Sequence, residues 1–133
     1  MTEPEYLDRT LMTLTMDYKL CLTPEAFAKQ LDAVAVPKDN RPEFLLHPHS
    51  AATTHFIERG DGTRVALVCF DPEPHKFVTS VGYLTHEAAH IWQEHCEIVG
   101  ETDPSDETVA YGLQCIVESL VREFMRQTNT IMV

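Results

Sequence analysis

Residues 86–90 read His-Glu-Ala-Ala-His, an H-E-x-x-H pattern. On an α-helix, positions four apart lie on one face, so His86 and His90 point the same way. Two imidazoles so placed share one cation, and zinc suits them because it takes nitrogen ligands in a tetrahedral site. Glu87 stands beside them, where a carboxylate can take a proton from water activated by the metal. The pentapeptide is short enough to occur by chance. Its meaning rests on what surrounds it.

A catalytic zinc site keeps one position open and needs a third protein ligand. The stretch after Gly100 offers several carboxylates. Glu107 is favoured, because it falls in the first turn of a second helix joined to the first by a short loop. Glu94 and Glu97 lie one and two turns beyond His90. Asp103 and Asp106 read as helix caps. Glu118 is about 16 Å along its helix from Glu107, so only one of the two can be near the metal. The longer pattern H-E-x-x-H-x-x-G-x-x-H is absent, since Gln93 and Cys96 stand at its last two fixed positions. His95 falls out of register on the apolar side and reads as a satisfied structural histidine. His47-Pro48-His49 supplies two further imidazoles, but Pro48 and the lack of a nearby acidic partner favour a plain loop. His55, alone in a strand, reads as structural.

The helix carrying the motif is predicted over 76–99 and ends at Gly100, a good residue for a left-handed stop. At about 100° per residue, Leu84, Ala88, Ile91, Trp92 and Val99 gather on one face, and His86, His90, Gln93 and Glu97 on the opposite one. No Lys or Arg occurs between Val78 and Val121, which fits a face directed at a cation. The second helix is predicted over 104–127, with Asp103 as cap, Pro104 at its first position and Asp106 completing a capping-box-like start. Val109, Leu113, Ile116, Leu120 and Phe124 form its apolar stripe. Glu107, Tyr111, Gln114 and Glu118 form a polar one, read as converging on the same ion.

Upstream, residues 10–23 place Leu14, Met16, Tyr18, Leu20 and Leu22 on one parity, which predicts a strand. Thr23-Pro24-Glu25 starts a short helix to about residue 35, with Phe27, Leu31 and Val34 as its stripe. Residues 36–49 hold three prolines and read as a loop. Runs over 52–59 and 63–70, joined by Gly60-Asp61-Gly62, predict a β-hairpin. Residues 1–10 and the tail from 128 read as loose ends. The fold class expected is α+β: a small antiparallel sheet packed on the H-E-x-x-H helix and a C-terminal helix.

The chain has 133 residues, enough for one domain with one core. Its net charge of −11, from 10 Lys and Arg against 21 Asp and Glu, argues against general binding to nucleic acid or to anionic membranes. No stretch approaches the roughly 20 apolar residues of a membrane span. The acidic N-terminus does not read as a signal peptide. Four widely spaced cysteines without a C-x-x-C read as free buried thiols in a reducing cytoplasm.

With a glutamate on a second helix, the motif looks like the gluzincin arrangement of zinc metallopeptidases. The longer run resembles more closely a family of small proteins encoded by tailed bacteriophages and prophages. The pattern H-E-A-x-H-x-W-Q is carried by residues 86–93, Gly-Glu by Gly100-Glu101, and P-S-x-E-x-x-A-Y-x-x-Q by residues 104–114. The resemblance implies a minimal zincin-like fold, a zinc hydrolase acting on a peptide or protein in the host cytoplasm, His86, His90 and Glu107 as ligands, and Glu87 as base. Tyr111 is the first candidate to assist at the developing oxyanion and Tyr83 the second, each weighed against a plain packing role. The strand over 63–70 is read as an edge along which an extended peptide could pair. The alternative reading is a non-catalytic phage protein whose metal site is structural or vestigial and serves assembly or partner binding.

Overall fold

The computed structural model describes residues 14–130. The readings for residues 1–10 and for the end of the tail lie outside them. The element order is β1 (Asp17–Cys21), α1 (Pro24–Ala33), a short 3-10 turn (Lys38–Asn40), β2 (Ala52–Glu58), β3 (Arg64–Phe70), α2 (Phe77–Val99) and α3 (Asp106–Thr128). Among the described residues the class is α+β, with three α-helices and one three-stranded sheet in the order β1-β3-β2.

The hairpin forms as its turn chemistry dictates. Gly62 adopts φ 87°, and Arg59 and Thr63 close the turn through Arg59 N–H to Thr63 O at 2.7 Å. The sheet is not purely antiparallel, however. β2 pairs antiparallel with β3, but β1 pairs parallel with β3, in the register Asp17 to Val65 through Cys21 to Cys69. Alternation of apolar residues tells which face of a strand is buried and carries no information on its direction. β3 is therefore the central strand, with both backbone edges paired. The edge expected along 63–70 is covered by the chain itself, and β2 is the outer strand on that side.

Both faces of the sheet are buried. Leu14, Met16, Tyr18, Leu20 and Leu22, with Ala66, Val68 and Phe70, face α2 and α3. Cys21, Val65, Leu67 and Cys69 face Phe27 and Leu31 of α1. β1 is shorter than the run over 10–23 predicted, but the period-2 residues within and beside it all enter one core, as their shared parity requires. All four cysteines are free thiols. Burial pushes the Cys69 thiol far up, with Cys21 beside it adding to the effect, so Cys69 stays protonated and inert.

α1 begins as predicted, with the Thr23 hydroxyl accepting from Ala26 N–H at 3.1 Å. α2 ends at Gly100, whose φ is 74°. The cap of α3 is Ser105, not Asp103: its Oγ accepts from Thr108 N–H at 3.2 Å, and the helix starts at Asp106. Ser105 reaches the third backbone N–H, and Asp106 and Glu107 then both lie in the first turn, where the helix dipole favours them.

α2 and α3 form an antiparallel pair. Phe77 near the start of α2 meets Phe124 near the end of α3, ring centroids 6.2 Å apart. Farther along, the Trp92 ring packs against Gly112, where a Cβ would come within 2.3 Å of the indole. Val99, assigned to the core stripe from its helical angle, is 52% exposed, because it belongs to the last turn beyond the reach of the sheet. Gln127 ties the far end of α3 to the sheet, donating at 2.9 Å to Leu20 O of β1 and also to the buried carboxylate of Glu123.

Candidate metal centre

α2 lays its apolar residues Leu84, Ala88, Ile91 and Trp92 into the core. The helical repeat then leaves His86 and His90 on the exposed side. Their Nε2 atoms approach to 3.3 Å, with the rings inclined at 76°. Glu87, one residue round from His86, turns under β2 and is only 4% exposed. The Thr54 hydroxyl of β2 donates to Glu87 Oε1 at 2.8 Å. Ligand-type atoms of His86, Glu87 and His90 all lie within 4.8 Å of one another, the sole such grouping of three among the described residues.

This donor set fits zinc. Two nitrogens on one tetrahedral zinc, each about 2.0–2.1 Å from it, stand about 3.3 Å apart. That is the separation observed between the two Nε2 atoms. A hydrogen bond between neutral imidazoles at this distance uses only one of the two lone pairs, whereas a cation uses both.

The structure does not bring Glu107 to this group. It is exposed in the first turn of α3 and is no member of the cluster. The reason is geometric. α3 packs on the Trp92 side of α2, and His90, two residues before Trp92, points about 160° away. Glu107 also sits five residues before Gly112, so it is about 10 Å from the level of His90 along the axis. The polar stripe of α3 faces outward with it: Gln114 and Glu118 are exposed and bond each other at 3.3 Å. Two amphipathic helices that share an apolar seam turn their polar faces apart, so the expected convergence of the two polar stripes does not occur.

What faces the two histidines is β2 and the loop before it. One cavity of about 250 Å³ is lined by His47, Thr54, His86, Glu87 and His90 together with neighbouring loop and strand residues. A second, of about 560 Å³, is lined by His49, Ser50, Tyr83, His86 and Glu87 among others. Tyr83 therefore borders the site, although its ring also packs on Phe70 and His75 at 5.9 and 5.0 Å. Tyr111 is 52% exposed and lines neither cavity. His47 and His49, read from the sequence as a plain loop for want of a nearby acidic partner, line these cavities together with Glu87, a carboxylate that only the tertiary fold brings near them.

His55 and His95, read from the sequence as structural, both pack within the fold. His55 stacks on Phe27 with centroids 4.8 Å apart and its Nε2 meets Phe44 O at 3.0 Å. His95 Nδ1 accepts from Thr15 N–H at 3.3 Å, and the ring leans on Trp92. Burial pulls the His95 imidazole below the ordinary histidine value of about 6.5. Between that lowered value and about 6.5 the unfolded chain binds more protons than the folded one. Its contribution to stability is therefore present above about pH 6.5 and lost as pH falls through this range. Urea unfolding across this range should show a shallower pH slope for His95→Gln than for the parent; equal slopes would exclude His95 as a contributor.

No helix among the described residues is long and apolar enough to cross a membrane. No protein-family model, curated protein or solved structure matches this chain.

Proposed function

We propose that this chain is a small zinc-dependent hydrolase of zincin-like build, acting on peptide bonds, with His86 and His90 as metal ligands and Glu87 as the base. The observation that carries the reading is the pair of Nε2 atoms 3.3 Å apart beside a buried carboxylate fixed by Thr54. The resemblance to the phage and prophage proteins points the same way.

Zinc, when bound, supplies Lewis acidity and lowers the pKa of its water toward about 7. The protein's part follows from its own groups. Thr54 occupies Glu87 Oε1 and sets the plane of the carboxylate, leaving Oε2 to take a proton from the attacking water and return it to the leaving amine. The low exposure of Glu87 strengthens its electrostatic coupling to nearby charge. Tyr83, which borders the larger cavity as Tyr111 does not, is the assigned donor to a developing oxyanion. β2, which carries Thr54 and lies at the edge of the sheet, offers the backbone along which an extended substrate would pair.

The test begins with the metal. Purified protein should hold about one zinc per chain. Zinc at about 100 times its Kd should raise unfolding free energy by about 2.7 kcal/mol. That gain should vanish in His86→Ala and His90→Ala. A folded protein that binds no added zinc overturns the reading. If zinc binds but a broad peptide library stays intact, the structural or assembly role is the better account.

A further inference from the structure

We infer that the third protein ligand of the metal comes from the loop before β2, and that it is His47. The inference rests on the zinc reading of His86 and His90. A catalytic zinc site of this kind takes three protein ligands and keeps one position open. α3 does not supply the third, since Asp106, Glu107 and Glu118 are exposed on its outer side and buried Glu123 is engaged by Arg126 and Gln127. Around the two imidazoles, the smaller cavity is lined by one further histidine, and that is His47. The larger cavity brings in His49 beside His86, but it does not include His90. His47 is therefore the one further histidine that lines a cavity together with both His86 and His90.

The loop holds His47 at this position from both sides. Leu46 N–H donates to the Thr53 hydroxyl of β2 at 3.0 Å, and Ser50 N–H closes a turn on His47 O at 3.0 Å. Pro48 lies inside that turn, where its fixed φ restricts the backbone. Farther back, Phe44 and Leu45 pack against the core beneath α1, and Phe44 O meets His55. The backbone on either side of His47 is thus anchored. The imidazole itself is exposed and stands outside the close grouping of His86, Glu87 and His90, so ligation requires it to turn about its side-chain bonds onto the cation, a movement its exposure allows. Glu87, already engaged by Thr54, is then left as base and need not serve as ligand.

Zinc affinity, measured by competition with a chromophoric chelator, tests this on the full chain. His47→Ala should weaken zinc binding by more than about 100-fold, beyond the 10–100-fold typical of losing an outer partner of a ligand. Glu107→Gln and His49→Ala should bind as the parent does. The cobalt-substituted parent should show the intense visible bands of a four-coordinate site, and His47→Ala should lose them. Unchanged affinity in His47→Ala with a loss in Glu107→Gln, in His49→Ala or in Glu87→Gln overturns the assignment and names the ligand instead. Unchanged affinity in all four also overturns it. His47 lies on the surface, and an unaltered far-ultraviolet circular dichroism spectrum separates ligand loss from unfolding. If the parent itself binds no zinc, the underlying metal reading fails, and this assignment with it.

Discussion

Glu87→Gln is expected to keep zinc and lose hydrolysis, by about 10²–10⁴ in turnover, the usual worth of a positioned general base. Glutamine preserves the shape of the side chain, and its carbonyl oxygen can still accept from the Thr54 hydroxyl that now holds Glu87 Oε1 at 2.8 Å. What it cannot do is take up a proton. Cleavage of a mixed peptide library, followed by mass spectrometry, reads the activity, and metal analysis of the same sample reads the site. The two readouts together carry the argument. Loss of zinc along with activity would make Glu87 a ligand, which its membership of the cluster with both histidines would also permit. Full activity in the variant would exclude Glu87 as the base. Retained zinc with lost cleavage leaves the assigned roles standing.

The second large effect lies in the seam that seats the motif helix. Trp92→Ala should cost about 3–5 kcal/mol, as expected for emptying a buried aromatic site. Gly112→Ala should also destabilise. Alanine gains about 1 kcal/mol over glycine in a helix interior, but its Cβ would stand 2.3 Å from the Trp92 ring. Overpacking of this kind costs about 1–3 kcal/mol, and the ring is pinned by the helix it belongs to, so the clash wins. The two changes should not add. In a Trp92→Ala background the obstacle is gone, and Gly112→Ala should become stabilising by up to about 1 kcal/mol. Urea unfolding of the four proteins checks the sign change. The same sign in both backgrounds would mean that the glycine is not there to admit the indole. Trp92 stands two residues from His90, so the seam also sets how α2 is rotated against β2, and with it where the two imidazoles point.

Much of the fold was legible from spacing. The parity of Leu14 to Leu22 named one core face, Gly60-Asp61-Gly62 named the hairpin, and Gly100 named the end of α2. These are local signals, each written within a few residues. The direction of β1 was not legible, because alternation is the same for parallel and antiparallel strands. Nor was the need for glycine at 112, which answers to a tryptophan on another helix.

The same division runs through the site. The sequence by itself determined that His86 and His90 share a face and that Glu87 stands next to them, because a helix places every residue relative to its own axis. Tertiary structure alone decided what lies opposite that face. Burial of the apolar seam put α3 against Trp92, on the far side from His90, and put β2 with Thr54 and the loop bearing His47 against the motif. Helical periodicity is a property of the segment. The neighbour that a face meets follows from where the whole chain buries its apolar surface.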